Sequence, residues 1–176
     1  MAAHRYVQYT KQIRYSVVSG YVMFHLPPAA LPAFSYAGAS FDAKEELHCS
    51  LLCTAELAKY FENSEIATLE LASFVQDFVT KSPISFKKFT RDVYLCKKDD
   101  AQSIVIEIHM NGVDELYAAL RSAFSPLSKI PSPALHVTLY KYNHQYGIGI
   151  QNKAELNAMC KPLPFEQLPN QLQEQL

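Results

Sequence analysis

Two five-residue stretches, Leu47-His48-Cys49-Ser50-Leu51 and Leu135-His136-Val137-Thr138-Leu139, each set a histidine and a hydroxyl residue two positions apart within alternating apolar and polar side chains. Such alternation predicts a half-buried β-strand, on which residues i and i+2 share a face. His48 and Ser50 then project together, as do His136 and Thr138, while Leu47, Cys49, Leu51, Leu135, Val137 and Leu139 point into a core. Imidazole titrates near neutrality, so one ring can act as base while a second acts as acid. Two such rings with two hydroxyl donors are sufficient parts to cleave a phosphodiester without a metal. Tyr140, two beyond Thr138, falls on the same face by alternation and is a candidate to stack on a base or close a pocket. The other four of the six histidines lack the pattern.

The elements that must position these residues can be read coarsely. Residues 15–26 suit one strand ended by Pro27-Pro28, and residues 27–46 read as an irregular loop whose Phe34, Tyr36 and Phe41 either fold back on the core, the favoured reading, or border a cleft. Thr54 is a candidate cap for a short helix, and Ser64 for a longer one with Ile66, Leu69, Phe74, Phe78 and Val79 on its apolar face. Residues 84–97 read as two strands or one bent strand, and residues 103–108 as a clear strand. A helix over residues 113–124 turns Leu116, Ala119, Leu120 and Ala123 inward, and another over 153–159 takes Asn152 as its cap. Residues 162–176, rich in Pro and Gln, read as a loosely held tail. The order suggests a single domain over residues 1–176 made of two related lobes, each contributing one histidine strand to a shared sheet interface.

Composition narrows the partners. A chain of 176 residues with 49% hydrophobic and 19% charged residues is that of an ordered globular protein. Its net charge of −1 argues against a grip on long nucleic acid through many phosphate contacts, and is compatible with a small nucleotide or an RNA end. Cys49, Cys53, Cys96 and Cys160 show no paired spacing, so the expectation is four reduced thiols in a cytoplasmic setting. Alternation puts Cys49 on the face opposite His48, which argues against a zinc set of His48, Cys49 and Cys53. No metal, no cofactor and no membrane partner are expected, and no apolar run reaches the length of a membrane span.

Paired His-x-Ser/Thr strands half a chain apart resemble the 2H phosphoesterase superfamily, which includes LigT-like 2′-5′ RNA ligases, cyclic phosphodiesterases and 2′-5′ oligoadenylate phosphodiesterases. The resemblance implies a bilobal α+β fold with pseudo-twofold symmetry, antiparallel sheets flanked by helices, and an open central cleft holding both motifs. It implies His48 and His136 as the catalytic pair, and Ser50 and Thr138 as donors to phosphate oxygens. Some members carry a basic residue a few positions beyond each motif. Lys141 fits that place after the second motif, while Cys53 stands there after the first. On this basis the expectation is a monomeric phosphodiesterase acting on a nucleotide or RNA end. The alternative is a noncatalytic module that only binds one.

Overall fold

Ser19 and Gly20 break the apolar run over residues 15–26, so a hairpin stands where one strand was expected. The computed structural model describes residues 5–144 and 147–176, which form an α+β protein built on antiparallel strands. In chain order come β1 (Tyr6–Gln8), β2 (Ile13–Ser16), β3 (Tyr21–His25), β4 (Phe34–Tyr36), β5 (Ala39–Ala43) and β6 (His48–Cys53). Then come α1 (Thr54–Ala58), α2 (Ser64–Lys81), β7 (Ser85–Lys98), β8 (Ala101–Asn111), α3 (Val113–Ala123), β9 (His136–Tyr142), α4 (Lys153–Met159), β10 (Cys160–Leu163) and α5 (Asn170–Gln173). Two compact units result, but they are not sequential halves with one motif each. The first takes residues up to His25 with Ser50–Phe86 and Met110–Pro133, and the second takes Leu26–Cys49, Lys87–His109 and Ala134–Leu176. Both His48 and His136 therefore belong to the second unit, and β6 passes into the first between Cys49 and Ser50.

In the first unit, β1, β2 and β3 form an antiparallel meander. Asn63, one residue earlier than expected, caps α2 by accepting the Ile66 amide at 3.1 Å. The buried line of α2 is Ala67, Leu71, Val75 and Val79, spaced four apart, whereas Ile66 and Leu69 are exposed. The larger side chains suggested a different face, but the i, i+4 ladder decided which residues went inward. Thr54 is not a cap. It opens α1, and its hydroxyl donates to the Gly20 carbonyl at 3.0 Å. On α3 the buried set is Val113, Leu116, Tyr117 and Leu120, and the Tyr117 hydroxyl donates to the Leu51 carbonyl at 3.0 Å.

In the second unit the strand order is β6-β9-β8-β7-β10, with β5 also pairing β9 and β4 pairing β5. The expected loop before the first motif holds this β4–β5 hairpin. Its two-residue turn needs positive φ at both centres, which Gly38 adopts at 80° and Ala37 at 49°. Phe34 and Phe41 do pack inward, as expected, against Tyr140 and Tyr142. The tail is not loose: Leu163, Phe165, Leu168 and Leu172 are all buried, which fastens residues 162–176 to this unit. Residues 85–97 fall within one long strand, β7, with Ile84 just before it, and α4 has the expected bounds and cap, Asn152 accepting the Glu155 amide at 3.0 Å.

The four-thiol expectation is corrected. Cys96 on β7 and Cys160 on β10 stand directly opposite each other and form a disulfide, leaving Cys49 and Cys53 buried and outside any disulfide. The pair was invisible because 64 residues separate the two positions and only the register of β10 brings them together. A cross-strand disulfide is a mark of oxidising surroundings, so cysteine usage no longer argues for the cytoplasm. Among the described residues no helix is long and apolar enough to cross a membrane.

Candidate active site

The two histidine strands are neighbours. Antiparallel pairing of β6 with β9 puts Cys49 opposite Val137, both fully buried on one face of the sheet. One residue back along β6 and one forward along β9, His48 therefore stands opposite Thr138 on the other face. His136 shares that face with Thr138, on a diagonal from His48 that spans about 7–8 Å in such a ladder. Both imidazoles and the threonine hydroxyl thus occupy one face of two adjacent strands. Ser50 lies two residues beyond His48 on β6 and shares its strand face, within the first unit.

A β-bulge rearranges the strand beyond Thr138. On β8 the partners run Glu107 with His136, Ile106 with Val137 and Val105 with Thr138, and then Ile104 with Tyr140, Ser103 with Lys141 and Gln102 with Tyr142. Leu139 is the extra residue, and it reverses the alternation beyond it. Tyr140 is carried to the face of Val137, where it is fully buried, packs on the Phe34 ring and donates its hydroxyl to the Pro32 carbonyl at 2.8 Å. The expectation that Tyr140 would meet a base is therefore overturned, because the alternation behind it does not survive the bulge. Lys141 moves the other way, onto the face of Thr138 and His136, where it is half-buried.

That face has two parts. Over β8, β7 and β10 it is apolar, with Val105, Cys96 and Cys160 packed against Leu156 of α4 and against Ile148 and Ile150. Toward β6 and β5 it is polar, carrying His48, Thr138, Lys141 and Asp42. Gly147 approaches Thr138 so closely that a Cβ there would come within 3.2 Å of the threonine hydroxyl. His136 sits where the two parts meet and retains 9% of its surface, so the water-accessible placement expected of both motifs holds for half-exposed His48 and not for His136.

The surroundings of His136 set its chemistry. Its Nδ1 lies 2.7 Å from the Ala134 carbonyl, an acceptor only, so Nδ1 carries the proton and Nε2 is left as the basic nitrogen. Burial pushes His136 below its ordinary value, against the opposing pull of the Ala134 carbonyl and the Glu107 carboxylate. Glu107 is the cross-strand partner of His136 and is held in an ion pair by Lys153 at the start of α4, whose ammonium also lies 3.5 Å from the Tyr94 hydroxyl. Sequence reading missed Glu107 and Lys153. The strand over residues 103–108 was legible, but its register against β9 was not. The two cysteines outside the disulfide are poor nucleophiles here: burial raises Cys49 to about 12 and raises Cys53 as well. Among the described residues no three His, Cys, Asp or Glu side chains gather as a metal site.

Comparison with protein-family models, with curated proteins and with solved structures finds no match to this chain.

Proposed function

We propose that this chain is a metal-independent phosphodiesterase of the 2H phosphoesterase type, acting on a 2′,3′-cyclic phosphate or 2′-5′ linkage of a nucleotide or RNA end. One observation carries the reading: the Cys49–Val137 register, which puts His48, Thr138 and His136 on the same face of adjacent strands. His136, neutral and with Nδ1 tied to Ala134, is the base through Nε2. It takes a proton from the attacking water as oxygen bonds to phosphorus. The bond from phosphorus to the ribose oxygen breaks, and His48, half-exposed and able to reload from solvent, delivers the proton to that oxygen. The Thr138 hydroxyl donates to a nonbridging oxygen as negative charge builds.

The test is hydrolysis of 2′,3′-cyclic nucleotides and 2′-5′ oligoadenylate in EDTA by the wild type, His48→Ala and His136→Ala. Turnover in the wild type, lost in both folded variants, is the expected result. Wild-type activity that EDTA abolishes, or that survives either substitution, overturns the proposal. The burial of His136 favours a second reading, a module that holds a nucleotide end without cutting it. That reading predicts binding of the same nucleotides with no turnover.

A further inference from the structure

Two cations border the polar part of the histidine face, and the cleavage chemistry above uses neither. β5 pairs with β9 through Asp42 opposite Lys141 and Ala43 opposite Tyr140, and the Lys44 amide donates to the Leu139 carbonyl at 2.9 Å. Register thus carries Lys44 one step further along β9, beside the bulge, and alternation from Asp42 puts it on the face of Lys141. His48, opposite Thr138, holds the next position along this edge of β9. Lys44, Lys141, His48 and Thr138 are therefore contiguous on one face, and all four are half-buried. Burial pushes Lys44 below its ordinary value and the nearby Lys141 ammonium adds to the effect, against the opposing pull of Glu46 and Glu45. Asp42, exposed and opposite Lys141, answers part of this charge. Partial burial and the neighbouring Lys141 charge both disfavour the charged form of Lys44, and a dianion seated between the two ammonium groups favours it.

We propose that Lys44 and Lys141 bind a second phosphate, so that the preferred substrate carries a phosphomonoester close to the phosphodiester that is cut. A nucleotide bearing both a 2′,3′-cyclic phosphate and a 5′-phosphate is the simplest member of that class. The inference rests on the phosphodiesterase reading and adds a specificity that the two histidine motifs do not contain.

The experiment compares adenosine 2′,3′-cyclic phosphate with and without a 5′-phosphate as substrates of the wild type, Lys44→Gln and Lys44→Arg, and measures inorganic pyrophosphate binding by calorimetry. The wild type is expected to favour the 5′-phosphorylated substrate by about tenfold in kcat/KM, as one charge-assisted phosphate contact warrants. Lys44→Gln should bring the ratio close to one and weaken pyrophosphate by a similar factor, while Lys44→Arg should retain most of both. Equal wild-type turnover of the two substrates, or an undiminished preference in Lys44→Gln, overturns the second-phosphate site and leaves the phosphodiesterase reading standing. No turnover of either substrate, together with none of 2′-5′ oligoadenylate, overturns the phosphodiesterase reading itself. In that case pyrophosphate binding decides for the cation pair if Lys44→Gln weakens it, and against the pair if it does not.

Discussion

The two histidine strands carry the same five-residue pattern and live in different surroundings. On β6 burial alternates through the motif, with His48 and Ser50 half-exposed on either side of buried Cys49, before Leu51, Leu52 and Cys53 all turn inward. On β9 a bulge lies just past the motif, α4 and residues 147–150 cover the neighbouring apolar surface, and His136 is buried with one ring nitrogen tied to the backbone. Matched motifs therefore do not imply matched roles. The burial and the tether, neither of which is written in the motif, are the basis for proposing His136 as the proton acceptor and His48 as the group that exchanges a proton with solvent.

The contrast can be broken first at the rings themselves. On the proposed mechanism, in which one proton path runs through both rings, His48→Ala and His136→Ala should each lower kcat by about 10²–10⁴-fold, and the double variant should be little worse than either. Losses that simply multiply in steady-state kinetics would show independent roles. A change confined to the β9 side comes next. The Cys96–Cys160 bond closes a long loop next to α4, and replacing both cysteines by Ala should cost about 4 kcal/mol of stability in the chain-entropy description. Urea unfolding measures that cost, and hydrogen exchange should show β9 loosened more than β6. Equal loosening would contradict a disulfide that serves the His136 side.

Smaller effects sharpen the comparison. If the Thr138 hydroxyl is the donor proposed and its methyl only stiffens it, Thr138→Val should lower kcat by about 10-fold or more while Thr138→Ser keeps most of it. If Val retains activity, Thr138 is packing rather than chemistry. Stability should also depend on pH through His136. Its folded value is depressed, so between that value and the ordinary value near 6.5 the unfolded chain binds a proton that the folded chain does not. Stability is then full above about pH 6.5 and declines as pH falls below it, until the folded ring protonates as well. His136→Gln should flatten this slope in denaturation curves taken at several pH values, and an unchanged slope would assign it to other groups.

Legibility in the sequence tracks how local each feature is. Both motif strands, the strand over residues 103–108, and α4 with its Asn152 cap depend on neighbours within a few residues, and all were readable. The β4–β5 hairpin was not, because Ala37 in a left-handed conformation carries none of the Asn-Gly signature that marks such turns. The buried line of α2 was misread because two exposed residues, Ile66 and Leu69, looked like core. The bulge at Leu139, the Cys96–Cys160 bond and the Glu107–His136 pairing are register effects between strands distant in sequence, and no local pattern encodes them. Of the site, the two histidines and Thr138 came from local pattern. The exchange of Tyr140 for Lys141 on their face came only from register.

The central claim is that the rings of His48 and His136 meet one phosphate. Imidazole nitrogen NMR during titration with adenosine 2′-monophosphate, a product-like anion, tests it directly. The account predicts that both rings shift together with a single dissociation constant, the His136 signals retaining a protonated Nδ1. A titration in which only one histidine responds, or in which the two respond at different concentrations, would contradict it.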